Sequence, residues 1–198
     1  MKKLLIVCFA EKRHGKGEAA RVLAEELNGT VTSFAASLKR CAEQLVGVPC
    51  DLPEGDKESK LFYGRTARHW WQWLGTEIGR RLVSETVWVD RTIGFVRKQP
   101  AGSVVIVDDG RFENERKIPG PALEDGEDGA TVMNLLIYRP GLSEADNHPS
   151  EVEVCQMRKA HMSGSSFLFD DVIVNNGTLE QFREQVRKLA RGLVGVEA

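Results

Sequence analysis

The sequence predicts an α/β fold, a parallel β-sheet flanked by helices, and three observations predict it. Apolar runs of strand length alternate along the chain with segments of helical period, which is the pattern of parallel strands joined by crossover helices. The first run, Lys3 to Phe9 (KLLIVCF), passes through a short basic turn, Ala10 to Gly17 (AEKRHGKG), straight into the helical Glu18 to Leu27. A later run, Ser103 to Val107 (SVVIV), ends on two adjacent acids, Asp108 and Asp109.

The remaining elements follow in order. Thr30 to Ala35 reads as a short strand and Ser37 to Val46 as a helix. Cys50 to Lys60 is polar and reads as a loop. Thr66 to Val83 and Val87 to Lys98 are helical by period and free of internal proline. Gln99 to Gly102 is a turn. After the acidic strand, Phe112 to Lys117 reads as a short helix. Pro119 to Gly129 (PGPALEDGEDG) is rich in proline, glycine and acid, the composition of a mobile excursion. Thr131 to Tyr138 is a strand. Ser150 to Met162 is a helix with Ser150 as its N-cap. Asp171 to Val174 is a short strand. Thr178 to Leu193 closes the chain as an amphipathic helix, capped by Thr178, with Leu179, Phe182, Val186 and Leu189 on its apolar face.

Composition narrows the class. The 198 residues suit one domain with a modest insertion, and 41% hydrophobic content supports a core. A net charge of −2 argues against a protein that grips nucleic-acid backbone. No apolar run approaches the length of a membrane span. The start MKKLLIVCFA runs into Glu11-Lys12-Arg13-His14, so a strand is the better reading than a signal peptide. Cys8, Cys41, Cys50 and Cys155 are scattered, which fits reduced, mostly buried thiols in a cytoplasmic protein.

The chemistry begins at the first turn. A strand, a basic glycine-containing turn and a helix make an anion site: backbone N–H groups and the helix dipole both face the ligand. This is the setting of a phosphate-binding P-loop, in which Lys16 reaches the β- and γ-phosphates. Two positions depart from G-x-x-x-x-G-K-[ST]. Ala10 stands for the first glycine, and Gly17 for the hydroxyl residue that usually ligates Mg²⁺. Asp109 lies where a Walker-B-type carboxylate holds Mg²⁺, directly or through water. Arg111 and Glu115 are spaced to pair on a helix. Three of the four tryptophans fall between Trp70 and Trp73, and Arg68, Gln72, Thr76 and Arg80 recur at a spacing of four. That pattern suits a base stacked on Trp71, read by Gln72, with Arg68 and Arg80 on a phosphate. Lys39 follows the second strand and can neutralise an acceptor phosphate. Arg139 ends a later strand, where it can clamp the moving phosphoryl group. His148 reads as structural, and His14 and His161 show no metal-ligand spacing.

In this order the pieces resemble the phage-type deoxynucleoside monophosphate kinases, a branch of the P-loop nucleoside monophosphate kinases. Lys12 to Lys16 is similar to that family's K-R-x-G-K turn, and Ser33 to Lys39 to its S-F-A-x-x-L-K segment. Thr66 to Arg80 resembles T-x-R-x-x-x-Q-x-L-G-T-x-x-x-R, and Trp88-Val89 its W-V. Val104 to Glu115 resembles V-V-I-x-D-x-R-F-x-N-E, with the family aspartate on Asp109. Tyr138 to Pro140, His148 to Glu151 and Asn175 to Leu179 resemble R-P, H-x-S-E and N-x-G-T-L. Where this chain has Ala10, Gly17 and Glu18, the family usually has Gly, Asp and Thr.

The resemblance implies an ATP-dependent kinase that phosphorylates a deoxynucleoside 5′-monophosphate with Mg²⁺ as cofactor. Lys12, Arg13, His14, Gly15, Lys16, Gly17, Glu18 and Arg139 would bind ATP. Lys39, Arg68, Trp71, Gln72, Arg80, Asp109, Arg111 and Glu151 would bind the acceptor. Lys16, Arg13, Arg139 and Asp109 would serve transfer, Asp109 also at the metal. The expected organisation is a P-loop core at about 1–46, 100–118, 130–140 and 165–198, with a helical acceptor-binding insertion at about 47–99 and a lid at about 140–164. No nucleic acid or membrane partner is expected, and a homodimer is allowed. The expected compartment is the cytoplasm, the host's if the chain is phage-encoded. Two rivals remain open: a P-loop kinase with another acceptor, such as phosphomevalonate, and a nucleotide-binding protein without turnover.

Overall fold

The computed structural model describes residues 2–124, 126, 128–142 and 149–194. In chain order the elements are β1 (Lys3–Phe9), α1 (Lys16–Leu27), β2 (Thr30–Thr32), α2 (Ala36–Val46), α3 (Asp56–Ser59), β3 (Leu61–Phe62), β4 (Arg65–Thr66) and α4 (Ala67–Gln72). A π-helical stretch, Trp73–Val83, continues α4. Then come α5 (Val87–Arg97), β5 (Val104–Gly110), α6 (Glu113–Lys117), α7 (Pro119–Leu123), β6 (Ala130–Tyr138), α8 (Pro149–Met162), β7 (Asp171–Val174) and α9 (Leu179–Val194). They form two compact units, Met1–Ser33 with Phe95–Ala198, and Phe34–Gly94. Residues 34–46, expected in the core, cluster with the second unit, and 95–99 with the first.

The first unit is built on a five-stranded sheet of order β2-β5-β1-β6-β7, in which every neighbouring pair is parallel. Central β1 is covered on both faces, so Leu5 to Phe9 are all fully buried. Ala19, Ala20, Val22 and Leu23 of α1 pack with Phe182, Val186 and Ala190 of α9 over one face. Thr178 caps α9: its hydroxyl accepts from the Gln181 N–H at 3.3 Å, and the Gln181 side chain accepts from the Thr178 N–H at 2.8 Å. Phe182 meets Gly15, just before α1 starts, so α1 does not reach the level of Leu179. Leu179, expected on the apolar face, is accordingly 55% exposed.

Several boundaries differ from expectation. β2 ends at Thr32 rather than Ala35, and the Cys50–Lys60 loop contains α3. β5 runs on through Asp108, Asp109 and Gly110, so the acids belong to the strand. Half of the expected excursion at 119–129 is α7, started by Pro119, whose missing N–H costs nothing at N1, and anchored by buried Leu123; residues 125 and 127 lie outside the described residues. α8 starts at Pro149 for the same reason, so Ser150 sits inside the first turn and is not the cap. His148 and most of the connection before it lie outside the described residues. All four cysteines are free thiols; Cys8 and Cys155 are buried, Cys41 is exposed and Cys50 partly so. No helix of the described residues is long and apolar enough to cross a membrane.

The second unit has its own small core of Leu38, Ala42, Val48, Leu52, Ala67 and Leu74, with Trp70, Trp71 and Trp88 packed at its edge. Thr66 caps α4 by accepting from the His69 N–H at 3.2 Å. Beyond Gln72 the helix widens to i→i+5 bonds, the last from Ser84 N–H to the Gly79 carbonyl at 2.9 Å. Gly79 permits the packing there, because a Cβ at that position would lie 2.4 Å from the Trp88 ring.

Candidate functional site

The turn after β1 is held from several sides. Arg13 adopts φ 69° and Gly15 φ 105°. A side chain at Gly15 would also approach the Asn175 amide to 2.9 Å, so glycine is needed there on both counts. The Asn175 amide donates to the His14 carbonyl at 3.1 Å. The Arg139 N–H donates to His14 Nδ1 at 3.2 Å. His14 is only 3% exposed, and burial, its largest influence, lowers its pKa. His14, expected among the ATP ligands, ties the turn to the end of β6 through its ring.

Helix α8 grips the same turn. Glu151 accepts from the Lys12 N–H at 2.9 Å and pairs with the Arg111 guanidinium. Arg158 pairs with Glu11 and lies 4.6 Å from the centre of the Tyr138 ring. The expected Arg111–Glu115 helix pair takes another form, because α6 begins only at Glu113. The Glu115 carboxylate accepts from the backbone N–H groups of Arg111 (2.8 Å) and Phe112 (3.0 Å) and so shapes the turn.

Lys16 is 9% exposed, and its ammonium donates to the carbonyls of Ala10 (3.4 Å) and Gly110 (3.3 Å), the ends of β1 and β5. Burial chiefly, then the Arg111 charge, lowers its pKa to about 8, against the pull of Asp109 and Asp108. Ala10 is buried without a positive φ, so the fold does not need glycine there. A Cβ at Gly17 would meet nothing within 4 Å. Glu18 accepts from Arg21 at 2.7 Å and Arg183 at 2.6 Å. Those hydrogen bonds, Arg21's first, hold its carboxyl down at about 2. Lys12, Arg13 and Arg139 have exposed side chains.

In the second unit, Lys39 Nζ lies 5.3 Å and Lys57 Nζ 5.9 Å from the centre of the Trp71 ring. The buried Trp71 Nε1 has no hydrogen-bond partner. Arg68 pairs with Glu54 at 3.0 Å and with Glu58. Trp70 donates to the Phe62 carbonyl at 2.7 Å and Trp88 to the Gly75 carbonyl at 3.0 Å, so these two indoles are committed to the fold. Gln72 is exposed and Arg80 half-buried. A spacing of four overshoots an α turn of 3.6 residues and falls short of the wider π turn. The Arg68, Gln72, Thr76, Arg80 series therefore drifts less than it would along a pure α-helix.

No family model matches the chain. A protein of Acanthamoeba polyphaga mimivirus, named "Putative deoxynucleotide monophosphate kinase", is 29% identical over 199 residues, spanning 92% of this chain and 94% of its own. Among solved structures, shikimate kinase from Acinetobacter baumannii in complex with shikimate matches with a TM-score of 0.50 at 12% identity, over 98% of this chain and 94% of that one. The fold is that of a P-loop kinase. Dephospho-CoA kinase from Campylobacter jejuni aligns over the full length of both chains, with 14% identity and a TM-score of 0.45. The similarity to the viral protein extends along nearly the whole chain.

P-loop kinases usually employ Mg²⁺ with their nucleotide, and the carboxylates here would fit it. Mg²⁺ is commonly held by one or two carboxylates together with substrate phosphates and waters. Asp109 and Asp108, both close enough to act on Lys16, would supply that set. No cluster of three or more metal-ligating side chains occurs among the described residues. When bound, such an ion would neutralise charge on the donor phosphates.

Sequence reasoning singled out none of Glu11, Arg158, Glu54 and Lys57, and noted Asn175 only within the N-x-G-T-L resemblance. Asn175 was legible as the residue ending a strand. Lys57 and Glu54 sit in a polar stretch with no local pattern to mark them.

Proposed function

We propose that this P-loop kinase transfers the γ-phosphoryl group of ATP to a deoxynucleoside 5′-monophosphate. The observation that carries the reading is the buried Lys16 ammonium, held at the joined ends of β1 and β5 beside Asp109, under a turn with left-handed residues at Arg13 and Gly15. The acceptor class rests on the named viral relative and on the cationic, aromatic surroundings of Trp71.

In this reading Lys16 and the turn amides hold the donor phosphates. Arg13 and Arg139 reach the transferring group, and Asp109 orients Mg²⁺. Lys39, Arg68 and Arg80 hold the acceptor phosphate, while Trp71 and Gln72 meet the base. An acceptor phosphate oxygen bonds to the γ-phosphorus as the bond to the ADP oxygen breaks. Above its second pKa of about 6 the acceptor phosphate is a dianion. It needs no proton removed, so the chemistry asks for positioning and positive charge rather than a base.

A coupled assay for ADP, with ATP–Mg²⁺ and dAMP, dCMP, dGMP or dTMP as acceptor, tests this. Turnover that depends on at least one of them is expected, with shikimate and phosphomevalonate inert. ADP formation only with a non-nucleotide acceptor overturns the acceptor class, and tight ATP binding with no product overturns turnover.

A further inference from the structure

Arg68, the residue assigned to the acceptor phosphate, has two acidic partners within its own unit. Its guanidinium is shared between Glu54 and Glu58. The other oxygen of Glu54 takes the Lys57 ammonium at 2.5 Å. Lys57, in turn, stands with Lys39 at the ring of Trp71, whose buried indole N–H lacks a partner. Two cations therefore stand at one aromatic ring that carries an unsatisfied donor of its own, and Glu54 links Arg68 to one of them. Two carboxylates from the α3 segment occupy Arg68 and Lys57. Both acids are mostly exposed, Glu54 at 68% and Glu58 at 59%, so each can swing into water.

We infer that Lys57 is a further acceptor-binding residue, and that Glu54 and Glu58 stand in for the acceptor's phosphate until it arrives. The inference rests on the proposed acceptor role of Arg68 and goes beyond it in two ways. It adds a cation from a segment that no motif marks, and it makes binding an exchange of anions. The exchange is balanced: two carboxylates carry two negative charges, and a phosphate monoester carries between 1.5 and 2 at neutral pH, roughly. Arg68 and Lys57 thus keep partners in both states, and neither is left bare between turnovers. The device also selects. A nucleoside without a phosphate gains nothing from displacing Glu54, whereas a monophosphate offers the bidentate partner that a guanidinium favours. The ordinary state of Glu54 agrees with this, since hydrogen bonding to Lys57 chiefly lowers its pKa and keeps it anionic.

Calorimetric titration of the full chain with dAMP, dCMP, dGMP and dTMP, and with the four matching deoxynucleosides, tests the inference. Circular dichroism confirms that each variant is folded. Glu54→Gln is expected to tighten monophosphate binding by about threefold, the scale of an exposed ion pair removed as competitor, and to leave the deoxynucleosides unchanged. Lys57→Met is expected to weaken monophosphate binding roughly tenfold, as for loss of a hydrogen bond to a charged group, with ATP affinity unaltered. Unchanged or weaker monophosphate binding by Glu54→Gln, or unchanged binding by Lys57→Met, overturns the inference. Arg68→Ala separates the two levels. If it weakens monophosphate binding while the other two variants do nothing, the acceptor reading stands and this inference falls. If it changes nothing either, both fall.

Discussion

Lys16 and Gly17, neighbours in the chain, carry opposite lessons. Lys16 was legible from a strand, a basic turn and a helix in succession, and the structure buries it with two carbonyl partners. Its displaced pKa gives a measurable consequence. A folded-state value of about 8 lies below the ordinary 10.5, so free enzyme loses this charge as pH rises through 8. Since kcat/KM reports groups of the free enzyme, kcat/KM for ATP should fall up to about tenfold per pH unit above 8. The KM for the monophosphate should stay flat over the same range. A pH profile with no break between 7 and 10 would remove Lys16 from the donor site. At Gly17 the departure from the usual pattern raised doubt about metal handling, but the space around it is open. Serine there should fold normally and keep activity within a few-fold, whereas Asp109→Asn should cost about a hundredfold or more in kcat, the scale of a lost transition-state charge contact. Equal effects of the two substitutions would show that the metal is held elsewhere. The sequence alone could not settle Gly17, because a spacing pattern names a missing hydroxyl but not whether the site has room or another ligand.

At the scale of elements, the phosphate turn is shaped as much by distant helices as by its own residues. Glu151 was expected on the substrate; in the structure it joins α8 to the turn through the Lys12 N–H and to β5 through Arg111. Long-range pairing of this kind leaves no local signature, whereas the strands and the amphipathic α9 were legible because burial imposes a period on the residues themselves. Glu151→Ala removes both contacts. It should weaken ATP binding by about tenfold and also lower the unfolding midpoint, since the Glu151 side chain is only 12% exposed and that of Arg111 23%, and truncating one partner of a largely buried pair strands the other charge. A large drop in the midpoint with unchanged ATP affinity would make Glu151 a structural prop. The π-helical stretch is the other element that periodicity could not foresee. α and π turns differ by less than one residue, and within this stretch Gly79 lies against the Trp88 ring. Gly79→Ala should cost about 1–3 kcal/mol, as overpacking does, and shift tryptophan emission. Stability equal to the parent in urea unfolding would contradict the packing.

At the scale of the molecule, the residues proposed for the donor phosphates and those for the acceptor's phosphate and base fall in different units, although Asp109, Arg111 and Glu151, also expected at the acceptor, belong to the first. Lys16, Arg13, Arg139 and Asp109 belong to the unit built on the parallel sheet. Lys39, Arg68, Trp71, Gln72 and Arg80 belong to residues 34–94. That division was broadly legible, because the Trp-rich helical segment interrupts the alternation of strands and helices. Its start at Phe34 was not, since α2 follows β2 as an ordinary crossover would. Segregation makes a kinetic signature. A substitution in residues 34–94 should act on the monophosphate and spare ATP. Lys39→Met, which removes one cation from the Trp71 ring, should raise the monophosphate KM about tenfold and leave the ATP KM within twofold, roughly the noise of such a measurement. Gln72→Ala should act differently again. A lost base-edge hydrogen bond penalises only the bases that used it, so the ranking of dAMP, dCMP, dGMP and dTMP should change while the cost to the weakest of them stays small. Steady-state kinetics with both substrates varied, for the parent and the two variants, resolves these effects. Were Lys39→Met to raise the ATP KM instead, residues 34–94 would serve the donor, and the acceptor would have to be sought among Arg111, Arg139 and Glu151.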